Sequence, residues 1–142
     1  MINTGGIIMK AYISALSGIS APVYFSVPNN QKFPYVLIED IDERGGEDVA
    51  TRTKQNRNAT EVDVVLRVVT GFTSGGGAKD ADDIATEILA IVLPSDPLTK
   101  LDFSPIENVT ASFDSSTYTR EFNDTHTIIV KEITIKHLLS QP

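Results

Sequence analysis

The clearest alternation of hydrophobic and polar residues in this chain runs over residues 61–69. One side of an extended chain would carry only apolar side chains, which are Val62, Val64, Leu66 and Val68. The other side would carry the charged residues and two further valines, which are Glu61, Asp63, Arg67, Val65 and Val69. Because successive side chains of a strand point to opposite faces of a sheet, this segment predicts a β-strand with one face in the core.

Two segments have the three- and four-residue spacing of amphipathic helices. The first covers residues 7–17, where Gly18 follows as a C-terminal stop, and residues 1–8 are expected to include a flexible extension upstream of Met9. The second covers residues 78–93, with apolar positions at Ala81, Ile84, Ala85, Ile88, Leu89 and Val92. Its first turns carry aspartates, where negative charge favours the positive end of the helix dipole.

Four more segments have the composition of strands. Residues 22–28 and 33–38 are two short runs joined by a polar turn, and residues 109–122 and 126–137 are two longer ones. In the last run, Ile128 and Val130 share one side of the strand, whereas Ile133 and Ile135 share the other. If all four face the core, the strand carries a β-bulge near Lys131.

The order of these elements predicts one α+β domain over residues 1–142, in which two helices pack on one face of a mainly antiparallel β-sheet. A long polar loop at about residues 43–59 has almost no large apolar side chain to bury. Long connections of this kind inside compact domains are often functional, and this one is expected to become ordered against a partner or to stay mobile.

The formal net charge of −7 argues against general affinity for nucleic acids, which depends on clustered lysines and arginines. One local exception is the group Arg52, Lys54 and Arg57, which is either a solvated loop or a contact patch for an acidic partner. The chain has no cysteine, which excludes thiolate chemistry and cysteine-based metal sites. It also has neither a signal-peptide pattern nor an apolar run that approaches the length of a membrane helix.

None of the candidate catalytic or ligand-binding patterns is complete. The glycine-rich segment at residues 71–79 matches neither common phosphate-binding motif, so a flexible linker is expected there. His126 and His137 would lie roughly 35 Å apart in an extended strand and are expected at the surface or at a strand end. No catalytic residue, cofactor or metal is therefore expected, and the chain is interpreted as a protein other than an enzyme.

Acidic side chains recur on the second helix at Asp80, Asp83 and Glu87. They lack the loop spacing of a calcium site, and they would form a stripe opposite the apolar face of the helix. We interpret this stripe as a solvated surface or as one that faces a neighbouring subunit.

Five segments follow one another along the chain: a first helix, the run Pro22-Val23-Tyr24-Phe25-Ser26-Val27-Pro28, the run Phe33-Pro34-Tyr35-Val36-Leu37-Ile38, the valine-rich strand and the helix that begins Ala78-Lys79-Asp80. This series resembles small tail-completion proteins of tailed phages. That family is related in fold to tail terminators. The resemblance covers about residues 7–93, and the paired runs with their valine-proline and proline-tyrosine steps are its most specific part.

The resemblance implies a structural virion protein, assembled in the host cytoplasm, that forms a homo-oligomeric ring, expected to be hexameric. Such a ring would end the tail tube, join it to the head–tail connector and let DNA pass without sequence-specific binding. An acidic channel wall would suit this role, because it would not hold the phosphate backbone. The candidate contacts with neighbouring copies or partners are Arg44, Arg52, Lys54, Arg57, Asp80, Asp83 and Glu87.

Two alternatives stay open. The chain is either a tail terminator or a neck or head-closure ring protein of the same connector, because the polar loop at 43–59 and the proline-rich stretch at 94–105 are longer than a minimal family member requires. In a different functional class, a small acidic ligand-binding α+β domain would be a monomer or a dimer with a concave apolar pocket.

Overall fold

The computed structural model describes residues 4–28, 30–45, 59–73, 77–96, 99–122 and 125–140. Its elements, in chain order, are α1 (Thr4–Ala15), β1 (Val23–Tyr24), β2 (Tyr35–Gly45), β3 (Ala59–Phe72), α2 (Lys79–Val92), β4 (Glu107–Phe122) and β5 (Thr127–Ser140). This is the α+β fold predicted from the sequence, with two helices against a mainly antiparallel sheet.

The sheet has five strands in the order β1-β2-β3-β5-β4. The four long strands β2, β3, β5 and β4 are antiparallel to their neighbours. The short β1 pairs in parallel with β2 through Val23 opposite Val36 and Tyr24 opposite Leu37. The two short runs near the N-terminus therefore lie side by side in the same direction and do not form a hairpin.

A single face of the sheet supports the helices and forms the core. The predicted apolar side of β3 is fully buried there, together with Ile133 and Ile135 of β5. Helix α1 packs on β2, and α2 packs on β3 and β5. Helix α2 begins without a side-chain hydrogen bond that caps it. The negative charges of Asp80 and Asp82 in its first turn interact favourably with the helix dipole instead. Pro94 follows its last turn.

Three predicted boundaries are wrong. Helix α1 begins at Thr4, and Thr4 and Ile8 are buried, so residues 4–8 are not a flexible extension. Strand β2 continues to Gly45 and β3 begins at Ala59, so both ends of the predicted polar loop belong to the sheet. The remainder of that loop, residues 46–58, lies outside the described residues. Gly71 is part of β3, and a Cβ there would lie 2.4 Å from a ring carbon of Phe33.

The predicted bulge near Lys131 is also wrong. Strand β5 pairs with β3 from Thr127 to Ser140 without a shift of register. Val130 is nevertheless buried, on the side opposite Ile133, so both faces of the sheet hold apolar side chains at this end and no bulge is needed. The register shifts lie in β2, between Ile38 and Asp40, and twice in β4.

Candidate assembly surfaces

His137 is not a surface residue as the sequence analysis expected, because it is fully buried beneath α1. Its Nε2 lies 2.6 Å from the hydroxyl of Tyr12, and its Nδ1 lies 3.1 Å from Oδ1 of Asn108. The amide nitrogen of Asn108 donates in turn to the carbonyl of Leu101, at 3.1 Å. The imidazole therefore connects α1, the start of β4 and the loop before it.

The hydrogen bonds of Asn108 fix the tautomer of His137. Since the amide nitrogen of Asn108 is the donor to Leu101, its Oδ1 is an acceptor, and Nδ1 of His137 carries the proton. Nε2 then accepts a hydrogen bond from Tyr12. Burial lowers the pKa of His137 to about 4 and raises the pKa of Tyr12, so both groups are neutral near pH 7. The cluster of His137, Tyr12 and Asn108 therefore has a structural role.

The predicted basic contacts are only partly within the described residues. Arg52, Lys54 and Arg57 lie outside them. Arg44 is half-exposed near the end of β2, where its guanidinium lies 2.9 Å from Asp63 on β3 and within 4 Å of Asp42 and Glu61. Arg44 is therefore already surrounded by carboxylates of its own chain.

The predicted acidic stripe on α2 divides into residues with different surroundings. Lys79 donates to Asp83 at 2.7 Å, and the hydroxyl of Ser20 donates to Glu87 at 2.5 Å. Asp80 is exposed. The hydrogen bond that Lys79 donates to Asp83 raises the pKa of Lys79. Asp80 is thus the stripe residue that presents its carboxylate most openly to solvent or to a partner.

Asp82, which the stripe did not include, has the most extensive contacts with the sheet. Lys131 of β5 donates to it at 2.7 Å, and the hydroxyl of Tyr118 of β4 donates to the same oxygen. These two hydrogen bonds lower the pKa of Asp82. The ammonium of Lys131 also lies 4.7 Å from the centre of the Tyr118 ring. The cluster connects α2 to the outermost strand.

The face of the sheet opposite the helices, here called the open face, is predominantly acidic. By the register of the strands its charged residues are Asp40, Asp42, Arg44, Glu61, Asp63, Arg67, Glu107, Glu121, Glu132 and Lys136. Glu39 and Asp114, at the register shifts, contact Arg67 and Lys136 of this face. The cations contact carboxylates, with Arg67 3.7 Å from Glu39 and Lys136 3.8 Å from Glu61. Exposed pairs of this kind contribute little to stability, so the excess of negative charge is the main property of this face.

The outer edge of the sheet on one side is β4. Residues 112–122 are exposed throughout, and Phe113, Tyr118 and Phe122 expose 48%, 50% and 74% of their surface. Their partners in β5 share a face with Ile133, so these aromatic side chains lie on the helix side of the sheet, where Tyr118 contacts Asp82 of α2. Strand β4 is therefore an edge strand with an aromatic surface that the described part of the chain leaves open to solvent.

The opposite edge is β2. Within the described ranges, β1 pairs only with Val36 and Leu37, which leaves the outer edge from Ile38 to Gly45 unpaired. Beside it, a recess of about 290 Å³ lies between α1 and β2, lined by Gly5, Met9, Ile38, Glu39, Asp40 and Ile41. The two edges of one sheet thus carry different features, an aromatic surface and a recess.

Among the described residues, the features of a metal or ligand-binding site are weaker than those of the two edges. The residues that the structure describes contain no group of three or more His, Cys, Asp or Glu side chains that could hold a metal ion. A recess of about 500 Å³ is lined by residues 100–108, which are one continuous segment made of the loop before β4 and the first two residues of that strand. Ligand pockets usually draw convergent groups from several separate elements. Among the described segments, neither helix is long and apolar enough to cross a membrane.

Sequence reasoning did not single out the two edges, although signals for them exist. Residues 110–120 are rich in serine and threonine on both faces of the strand, as expected for a strand that has no core on either side. In α1, apolar residues occur all around the helix and Lys10 is its only charged residue. A helix of that composition in a small domain indicates a surface that something else covers.

The chain matches no protein-family model. It also matches no curated protein sequence. Its fold is similar to that of a chain in a solved structure described as the virion of a native gene transfer agent (GTA) particle. The two chains share 17% sequence identity and a TM-score of 0.74, over 99% of this chain and 100% of the other. At this identity the similarity shows a shared fold.

Proposed function

We propose that this protein is a structural component of a phage-like virion, and that it forms a ring at the head-proximal end of the tail. The observation that carries the virion role is the correspondence over nearly the whole of both chains with a chain of the gene transfer agent virion. A match that covers both chains in full supports a shared role better than a match to one common substructure would. The ring and its place at the head-proximal end of the tail rest on the resemblance of the sequence to tail-completion proteins.

In this ring, the open face is the wall past which DNA moves. Its excess of carboxylates repels the phosphate backbone, and its cations already contact carboxylates of the same chain. The two unlike edges of the sheet support contacts that run from head to tail, which close into a ring when the rotation between copies allows it. The partners are further copies of this chain, the tail tube and the head–tail connector.

The experiment that tests this proposal is the mass of the purified full chain by light scattering, with negative-stain images of each species. We expect closed rings or stacked tubes. A species that stays a monomer or a dimer at the highest soluble concentration, and that does not bind to tail tubes, would contradict the proposal.

The basic segment offers a mutational test of assembly. The variant Arg52→Glu/Lys54→Glu/Arg57→Glu should lower the assembled fraction at least tenfold, because these cations are proposed to meet acidic surfaces of a neighbour. The control Lys32→Glu/Lys100→Glu reverses charges outside the proposed contacts and should assemble as wild type. Normal rings from the first variant would exclude the segment as a contact.

A further inference from the structure

The two edges of the sheet differ in a way that suggests one joint between copies. Strand β4 is the outermost strand on one side, and its aromatic side chains Phe113, Tyr118 and Phe122 project from the helix side of the sheet. No helix in the described ranges covers Phe113 or Phe122. An exposed edge strand of 16 residues is a template for pairing with another strand.

On the other side of the same sheet, the outer edge of β2 has backbone groups that no described residue pairs with from Ile38 to Gly45, next to a recess. The recess lies under α1, with Gly5 and Met9 above and Ile38 and Ile41 below. Its volume of about 290 Å³ has room for an aromatic side chain, and Gly5, Met9, Ile38 and Ile41 offer apolar contacts. Glu39 and Asp40 complete the lining. The recess therefore offers the aromatic surface of β4 an apolar contact beside two carboxylates.

Helix α1 supplies an independent observation. Ile8 and Tyr12 bury one side of it in the core, yet Ile7, Met9 and Ile13 on its other sides stay partly exposed. Since α1 packs on β2, any strand that adds to the outer edge of β2 would bring its own helix-side residues next to α1. Such a strand would cover apolar surface that the single chain leaves exposed.

We propose that β4 of one copy adds to the outer edge of β2 of the next copy, and that Phe113 of β4 seats against α1 of that neighbour. This inference rests on the ring function proposed above and names its joint. In the order β2-β3-β5-β4 each long strand runs opposite to the one before. A following β2 that runs opposite to β4 continues this alternation, so one antiparallel sheet passes from copy to copy.

Charge at the joint is compatible with this pairing. The outer part of β2 is acidic, with Glu39, Asp40, Asp42 and Glu43. From Ser115 to Thr119, β4 has no charged side chain and carries hydroxyl groups that can donate to these carboxylates. A partner strand with carboxylates at the same positions would be repelled, whereas a serine- and threonine-rich strand is not.

Engineered disulfides test the joint directly, because the chain has no cysteine of its own. Asp42 on β2 and Ser112, Ser115 and Thr117 on β4 are exposed and belong to the open face. Three double variants of the full chain combine Asp42→Cys with Ser112→Cys, Ser115→Cys or Thr117→Cys, so that successive open-face positions sample the register. The pair with Ser112 is the register that places Phe113 opposite Ile41. A disulfide forms only where the two Cα atoms come within about 7 Å.

After mild oxidation, we expect one double variant to give a ladder of covalent oligomers that ends at the ring size. The single variants should give no ladder, and an equal mixture of two single variants should stop at dimers, since each copy then offers one half of the joint. The control pair Asp42→Cys with Thr86→Cys, on the exposed side of α2, should give no ladder.

A second pair of variants tests the aromatic seat. Phe113→Asp should raise the concentration at which half of the protein is assembled at least tenfold, whereas Phe113→Leu should change it less than threefold. A thermal unfolding curve of the dilute protein shows that each variant is folded. Assembly of Phe113→Asp like wild type would overturn the seat.

The two proposals fail in different ways. Closed rings in negative-stain images together with no ladder from any double variant would overturn this joint and leave the ring function standing. A chain that gives neither rings nor ladders at any concentration, and does not bind to tail tubes, would overturn both.

Discussion

At the scale of single residues, the buried His137 should make the stability of the fold depend on pH. Its pKa in the folded protein is about 4, below the ordinary value of 6.5, so between these values the unfolded chain binds a proton that the folded chain does not. The contribution of His137 to the free energy of unfolding should therefore be constant above pH 6.5 and fall by up to about 3 kcal/mol as the pH drops towards 4. Urea unfolding at a series of pH values measures this slope.

The variant His137→Gln separates this effect from the titration of carboxylates. Glutamine keeps a polar side chain that can bond to Tyr12 but has no proton to gain, so the slope between pH 6.5 and pH 4 should become shallower by the equivalent of one proton. The absolute stability of the variant will be lower, since the amide cannot reproduce both hydrogen bonds of the buried ring. An unchanged slope would show that other groups set the pH dependence.

At the scale of elements, the contact of α2 with the outermost strand depends on Asp82. Replacing it in Asp82→Ala removes its hydrogen bonds with Lys131 and Tyr118, and it should lower the free energy of unfolding by about 1 kcal/mol. Asp80→Ala is the matched control, because it removes an acidic residue from the same first turn without loss of a contact to the sheet. Equal losses in the two variants would mean that the helix dipole, and not the cluster, accounts for the effect.

The elements themselves were predictable where one physical signal dominated. The alternation in β3 and the helical spacing in α2 gave both the type and nearly the bounds of each element. The end of β2 was not predictable, because Asp42, Glu43 and Arg44 form a strand through pairing with β3 rather than through burial. The burial of His137 was not predicted, because one histidine among alternating apolar residues fits a surface position as well as a buried one. Only its contacts with Tyr12 and Asn108 in the structure distinguish the two.

Of the surfaces proposed for function, the charged contacts could be predicted from the sequence, whereas the two edges of the sheet could not. Groups of cations and of aspartates can be recognised from the order of residues alone. An edge is defined by strand order, and the order β3-β5-β4 follows from pairing between distant segments. The apolar sides of α1 and β4 became informative only when the fold showed that they lie on opposite edges of one sheet.

At the scale of the whole molecule, stability and assembly should be coupled. If Phe113 and the exposed side of α1 are covered only in the ring, then association increases the free energy of unfolding by mass action. The midpoint of thermal unfolding should then rise with protein concentration, by several degrees between about 1 and 100 µM. In Phe113→Asp this dependence should disappear, while the midpoint at the lowest concentration stays close to that of the wild type. A wild-type midpoint that is independent of concentration would mean that the folded chain gains nothing from its own copies, and that the aromatic edge serves a different partner.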